Sequence, residues 1–249
     1  MTGGAATIPM TARDIPAAFW LTLILVVVPW GGIESHRRRR AGAVTSERAN
    51  LAAGRTRPHR YRAGALGIGQ YLLVTVLLDW ISGWSSFRRA LVFPPAGALW
   101  ILGCVAAHQA ISLTAMGLRR LRGLPLEAGT ARLLPRGRRE LAHFAPLALM
   151  AGVYEEFMYR GFAPDHLARW GLPVWAAVAI ATLSFGLSHG YKSLVGMLRA
   201  ALIGLVLAIP VLATGTLLPS IIAHALMDLL AGANTLPLAR RWGVTIPES

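Results

Sequence analysis

The sequence predicts an all-α fold: a polytopic transmembrane helix bundle of about seven spans with a cavity inside the bundle. Three observations predict it. Of the 249 residues 55% are hydrophobic and 14% are charged, with a mean hydropathy of +0.51, whereas soluble domains carry nearer a quarter charged residues. Apolar runs of span length recur along the chain. The formal charge of +14 rests almost wholly on arginine, which supplies 24 of the 25 basic residues, and most of these sit in two connecting segments.

The first apolar run, 15–33, is followed at once by Glu34, Ser35, His36 and Arg37-Arg38-Arg39-Arg40. A cleaved signal peptide carries its positive charge ahead of its apolar core; the order here is reversed, so a retained span is expected. Residues 34–62 hold nine arginines and little periodicity, which reads as a partly disordered basic loop. A second span is expected over 65–84, with Asp79 snorkelling or capping near its end. A third, 90–116, is opened by Pro94-Pro95 and carries Cys104, His108 and Gln109; the last two are expected to make interhelical hydrogen bonds. The loop 117–140 holds seven arginines and enough leucine for part of it to lie as an amphipathic helix on the membrane surface. Spans four to seven follow: from Leu141, 172–190, 194–214 and 216–231.

Arginine counts of nine and seven in the first and third loops, against Arg88 and Arg89 in the second and Arg160 and Arg169 at the fourth, place the N-terminus outside and the C-terminus inside under the positive-inside rule. Basic loops of this kind face anionic lipid heads. Nucleic-acid binding would need a soluble module with a basic face, and no such module is visible. The lone Cys104 can form no intramolecular disulfide and says nothing of an oxidising compartment.

Chemistry concentrates in the later spans. Glu155 and Glu156 are adjacent, with Arg160 one turn beyond Glu156. An ionisable group at bilayer depth costs roughly 2.5–3.5 kcal/mol on insertion scales, so three within six residues need a functional reason. Glu156 and Arg160 share a helical face and can pair; Glu155 points about 100° away. His189 follows Phe185 by one turn, and Gly186 and Gly190 allow a close helix approach. His224 and Asp228 again lie four apart. A carboxylate in a low-dielectric site can act as general base for water. An imidazole can hold that water, and a second one can stabilise the oxyanion formed at a carbonyl. These are the parts of a peptide-bond hydrolase without a nucleophilic Ser or Cys. Two His and carboxylates could also bind zinc, but no H-E-x-x-H motif demands it. The expectation is that no cofactor is required, with metal binding left open.

The ordered set Glu155-Glu156-x-x-x-Arg160, Phe185-x-x-x-His189 and His224-x-x-x-Asp228 resembles the three motifs of the CPBP intramembrane proteases. That family includes Rce1-type CAAX prenyl endopeptidases and bacterial Abi or bacteriocin-immunity proteins. The resemblance covers about 141–230. It implies that Glu155 activates water with His189 as its partner, that His224 and residue 228 form the oxyanion site, and that Glu156 and Arg160 are a supporting pair. The third motif usually ends in Asn; Asp228 stands there instead. An ionised Asp would repel an oxyanion but could still orient His224.

The expected organisation is an N-terminal set of membrane helices over 1–140, catalytic helices over 141–232 and a short tail over 233–249, as one structural unit. The leading function is an endopeptidase acting on a membrane-associated peptide or protein. The Arg-rich, Lys-poor composition points to a GC-rich bacterial genome and hence a bacterial inner membrane. A proton-coupled carrier is the alternative, disfavoured by the lack of an internal repeat. A catalytically idle immunity or scaffold protein is a third.

Overall fold

The computed structural model describes residues 10–40 (backbone only at 39 and 40), 56–83, 86 and 92–247. The described residues form helices and turns, with no strand among them. Helix α1 is a rod that opens with a 3-10 turn at Ala12–Asp14. It runs through Ile15–Thr22, passes a π turn at Leu23–Val27 and ends as Val28–Arg40. Helices α2 (Arg57–Ile81) and α3 (Gly97–Leu121) precede a short α4 (Ala128–Leu133). Helix α5 (Arg138–Glu156) continues without a break through a π turn, Phe157–Phe162, into α6 (Ala163–Arg169). Helices α7 (Val174–Ser188), α8 (Leu194–Thr214) and α9 (Leu218–Arg241) complete the bundle.

Five of these rods are long and apolar enough to cross a membrane: Ala12–Arg38, α2, α3, α8 and α9. The two other expected spans differ for physical reasons. Helix α7 is apolar but has only 15 residues, about 22 Å at 1.5 Å per residue, against a hydrocarbon core of about 30 Å. Helix α5 carries the glutamate pair and its charged first turn, Arg138-Arg139-Glu140.

Element ends follow local chemistry. Pro58 and Pro219 sit in the first turns of α2 and α9, where the missing N–H has no intrahelical partner to lose. Ser193 caps α8 by accepting the Gly196 N–H at 3.1 Å. Gly215, at φ 71°, stops the same helix in the left-handed conformation. Helix α9 runs ten residues beyond the expected end at 231. Residues 34–40 and 57–62, expected in a loop, are helical; the remainder of that loop, 41–55, lies outside the described residues. The 117–140 loop does hold a helix, α4, and one face of it packs into the bundle. Ala131, Leu126 and Leu134 are buried with Met116, Leu236 and Ala239.

Helix α5 lies between α2 and α9, while α7 lies between α1 and α8. The largest core forms around the π turn, where Phe157, Met158 and Phe162 are fully buried among Leu21, Ile24, Phe185 and Leu217. At the end of the bundle that holds the start of α1, polar groups clamp three elements. Arg169 pairs with buried Asp14 at 3.3 Å and donates to Ser82 O at 3.1 Å. Asp79, expected to snorkel or cap, is buried and accepts the Ser86 N–H at 2.9 Å and its hydroxyl at 3.1 Å. Ser86 Oγ also lies 2.8 Å from Asp165 Oδ2, so its single proton is shared between the two carboxylates, and Ser82 Oγ meets His166 Nε2 at 3.0 Å.

Candidate active site

Two glycines let the site assemble. On α5, a Cβ at Gly152 would stand 2.9 Å from Ala225 N and 3.1 Å from Ile221 O, so α5 and α9 touch backbone to backbone. One turn on, this contact brings the glutamate pair to His224. On α8, a Cβ at Gly204 would stand 2.7 Å from Arg160 Nη2 and 2.9 Å from Phe185 Cδ1, so the missing side chain makes room for both. Gly186 likewise meets Ala201 of α8, as its spacing suggested, and Gly190 meets the backbone of Gly32 in α1.

The expected Glu156–Arg160 pair is present, with Arg160 Nη1 donating to Glu156 Oε1 at 2.9 Å and both side chains almost wholly buried. The same carboxylate oxygen lies 2.7 Å from His224 Nδ1. Since a carboxylate paired to arginine only accepts, Nδ1 carries the proton and donates it. That leaves Nε2 of His224 facing Glu155 Oε2 at 3.7 Å and Asp228 Oδ2 at 3.9 Å. Glu155 points away from its neighbour as predicted and is the more open of the two, with 23% of its side chain exposed against none for Glu156.

His189 follows the last residue of α7, which ends two residues short of the expected 190. Its Nδ1 lies 2.8 Å from Phe185 O. A carbonyl only accepts, so this nitrogen also carries the proton and Nε2 is the acceptor. Phe185 forms the wall between the imidazoles. Its ring centroid is 4.7 Å from that of His189 and 6.2 Å from that of His224, edge to face in both cases, with the Arg160 guanidinium 4.5 Å away on its face.

Glu155, His189, His224 and Asp228 all line one cavity of about 600 Å³. They reach it from two directions: α5 runs on through Arg160 to Arg169 as one rod, so Glu155 lies within it, while His189 stands just beyond the end of α7. Among the described residues no three His, Cys, Asp or Glu side chains converge as ligands for a metal ion. His224 Nδ1 is occupied by Glu156, and its Nε2 is not within bonding distance of either remaining carboxylate.

Some cavity groups escaped the sequence reading. His108 is buried on α3 and lines the cavity with Gln109 and Ser112. Among the described residues it makes no interhelical hydrogen bond, contrary to expectation. Nε2 lies 3.4 Å from Ser112 Oγ on its own helix, and Gln109 alongside does not close a bond to Nδ1. The signal was available: three polar residues at i, i+1 and i+4 in an otherwise apolar span. Lys192, Glu127 and Arg199 also line the cavity. Burial alone would raise the Glu127 carboxyl, but the Ser193 hydroxyl and N–H and the Arg199 guanidinium hold it below the ordinary glutamate value.

Comparison with curated proteins and with solved structures yields no match. Residues 137–230, which carry the glutamate pair, Arg160, both candidate histidines and Asp228, match the family described as type II CAAX prenyl endopeptidase Rce1-like, and over that stretch the chain is similar to that family.

Proposed function

We propose that the protein is an intramembrane endopeptidase that hydrolyses a peptide bond of a membrane-associated protein or peptide with water activated by Glu155. The match to a CAAX-type protease family supports the general class. The observation that carries the mechanism is the placement of Glu155. It is a carboxylate open to a cavity, 3.7 Å from one imidazole, while its neighbour Glu156 is committed to Arg160 and His224.

In this mechanism Glu155 takes a proton from water as the water oxygen bonds to the carbonyl carbon of the scissile peptide. His189 Nε2, left as an acceptor by the Nδ1–H bond to Phe185 O, holds the second water proton and so aims the attack. The carbonyl electron pair moves onto oxygen, and the resulting oxyanion accepts a hydrogen bond from His224 Nε2 when that nitrogen is protonated. Glu156 fixes the ring through Nδ1, and Asp228 flanks it. Collapse of the oxyanion breaks the C–N bond, and the leaving amine takes the proton that Glu155 had accepted. The products are one carboxyl and one amine terminus. No step uses a metal. Helices before residue 140 supply the opposite wall through α3. A bacterial inner membrane with the N-terminus outside, and anionic lipid at the basic loops, fit the arginine distribution.

The test compares membranes containing wild-type protein with membranes containing Glu155→Gln, following peptides by mass spectrometry. Wild-type protein should consume peptides that the variant leaves intact, with a rate loss of about 10³-fold or more. Equal consumption by both overturns the mechanism. Uptake driven by a pH gradient without any peptide loss would favour a carrier.

A further inference from the structure

The turn that carries His189 is fixed on several sides. Glu127 accepts the Ser193 N–H and lies 3.7 Å from Arg199 Nη2. The Lys192 N–H donates to His189 O at 2.8 Å, and the Lys192 carbonyl faces His36 Nδ1 of α1 at 3.3 Å. Lys192 is the only lysine in the chain, three residues beyond His189, and its side chain lines the cavity shared by Glu155, His224 and Asp228.

Charge in that cavity is unevenly matched. Of the arginines that line it, Arg199 is engaged by Glu127 and Arg119 by the Pro125 carbonyl, with Arg60 and Arg132 also on its lining. Lys192 makes no ion pair within 4 Å among the described residues, and its Nζ lies 5.4 Å from the centroid of the Tyr191 ring. Its ammonium feels repulsion from Arg199 and attraction from Asp228, Glu127 and Glu155. Asp228 stands 3.9 Å from His224 Nε2, where the mechanism above forms an oxyanion. A carboxylate there opposes a second negative charge, and in a water-poor pocket the opposition is strong. A cation lining the same cavity offsets part of that opposition.

We propose that Lys192 is a charge-compensating residue: its ammonium offsets Asp228, so that the pocket around His224 can accept the negative charge that develops on the substrate carbonyl. This rests on the protease reading and deepens it. Lys192 acts through Asp228, so its contribution depends on the charge at position 228. A lysine that merely packed the turn would matter equally whatever stood there.

The experiment is a double-mutant cycle on purified full-length protein. The probe comes from a pool of farnesylated and unmodified peptides with varied C-termini. It is a peptide that wild-type protein consumes and Glu155→Gln leaves intact. Lys192→Met should lower kcat about 30-fold in the native background and less than about 3-fold in Asp228→Asn, while Lys192→Arg stays within about 3-fold of wild type. Equal losses for Lys192→Met in both backgrounds overturn the proposal. Should Asp228→Asn be inactive alone, the charge dependence is read from position 192. Loss with Met but not Arg supports the proposal, and equal loss with both overturns it. If no peptide in the pool is consumed, the protease reading fails and this inference falls with it.

Discussion

Two buried polar clusters occupy this bundle, and they are built to different rules. The clamp of Asp14, Arg169, Asp79, Ser82, Ser86, Asp165 and His166 ties the start of α1 and the end of α2 to α6. None of its members lines the cavity. Its groups meet one another and the backbone over short distances. The cavity cluster instead turns polar groups to open space: Glu155, His189, His224 and Asp228 all line the cavity. Buried polar groups that close on each other hold structure together; those left open in a cavity are held ready for something else. The difference separates the two clusters more clearly than burial or charge does, since both are buried and charged.

Three substitutions sharpen this contrast, in descending order of effect. Arg160→Met should harm both properties at once. Removing one partner of a wholly buried pair leaves Glu156 uncompensated, at about 3–5 kcal/mol, and frees the His224 ring. Thermal denaturation in detergent and peptide turnover should fall together; a stable, fully active variant would mean that the Glu156–Arg160 pair contributes to neither. Asp79→Ala should lower stability by about 1–3 kcal/mol with turnover per folded molecule unchanged, since it loosens only the clamp. A selective loss of kcat there would erase the distinction between the clusters. Glu127→Gln should have the smallest effect. The native Glu127 carboxyl lies below its ordinary value, so its stabilisation is present above the unfolded glutamate pKa and is lost as pH falls through the folded one. Wild type should therefore be the more stable at neutral pH, and the gap should close in acid. A gap that widened on acidification would contradict the Glu127–Ser193 contact.

The three motif segments were legible because ionisable residues inside apolar runs are expensive and therefore conspicuous. Spacing along one helix also showed that Glu156 would pair with Arg160 while Glu155 pointed elsewhere. It did not show that His224 would insert between the two glutamates, because that depends on how closely α9 approaches α5, and the approach is set by Gly152, a residue with no chemistry of its own. The shortness of α7 was hidden for a similar reason: an apolar run ends where polar residues begin, yet the helix ends two residues earlier. Asp79 was unremarkable until Ser86 folded back on it. His108 belongs to a span outside the matched stretch, and its neighbours Gln109 and Ser112 gave the only hint that this face meets a cavity.

The π turn at Phe157–Phe162 sits between the two clusters on one continuous rod, with Glu155 and Glu156 before it and Asp165, His166 and Arg169 after it. Each residue added to or removed from a helix rotates everything downstream by about 100°. A deletion that tightened this turn would keep one set of partners in register only by swinging the other out of reach. Arg160, paired with Glu156, and Gly161, packed against Leu217, are fixed by their contacts; the other side chains of the segment can vary so long as they fill the core, but its length cannot. A one-residue indel there should be far more damaging than a substitution at Phe157, Met158 or Phe162.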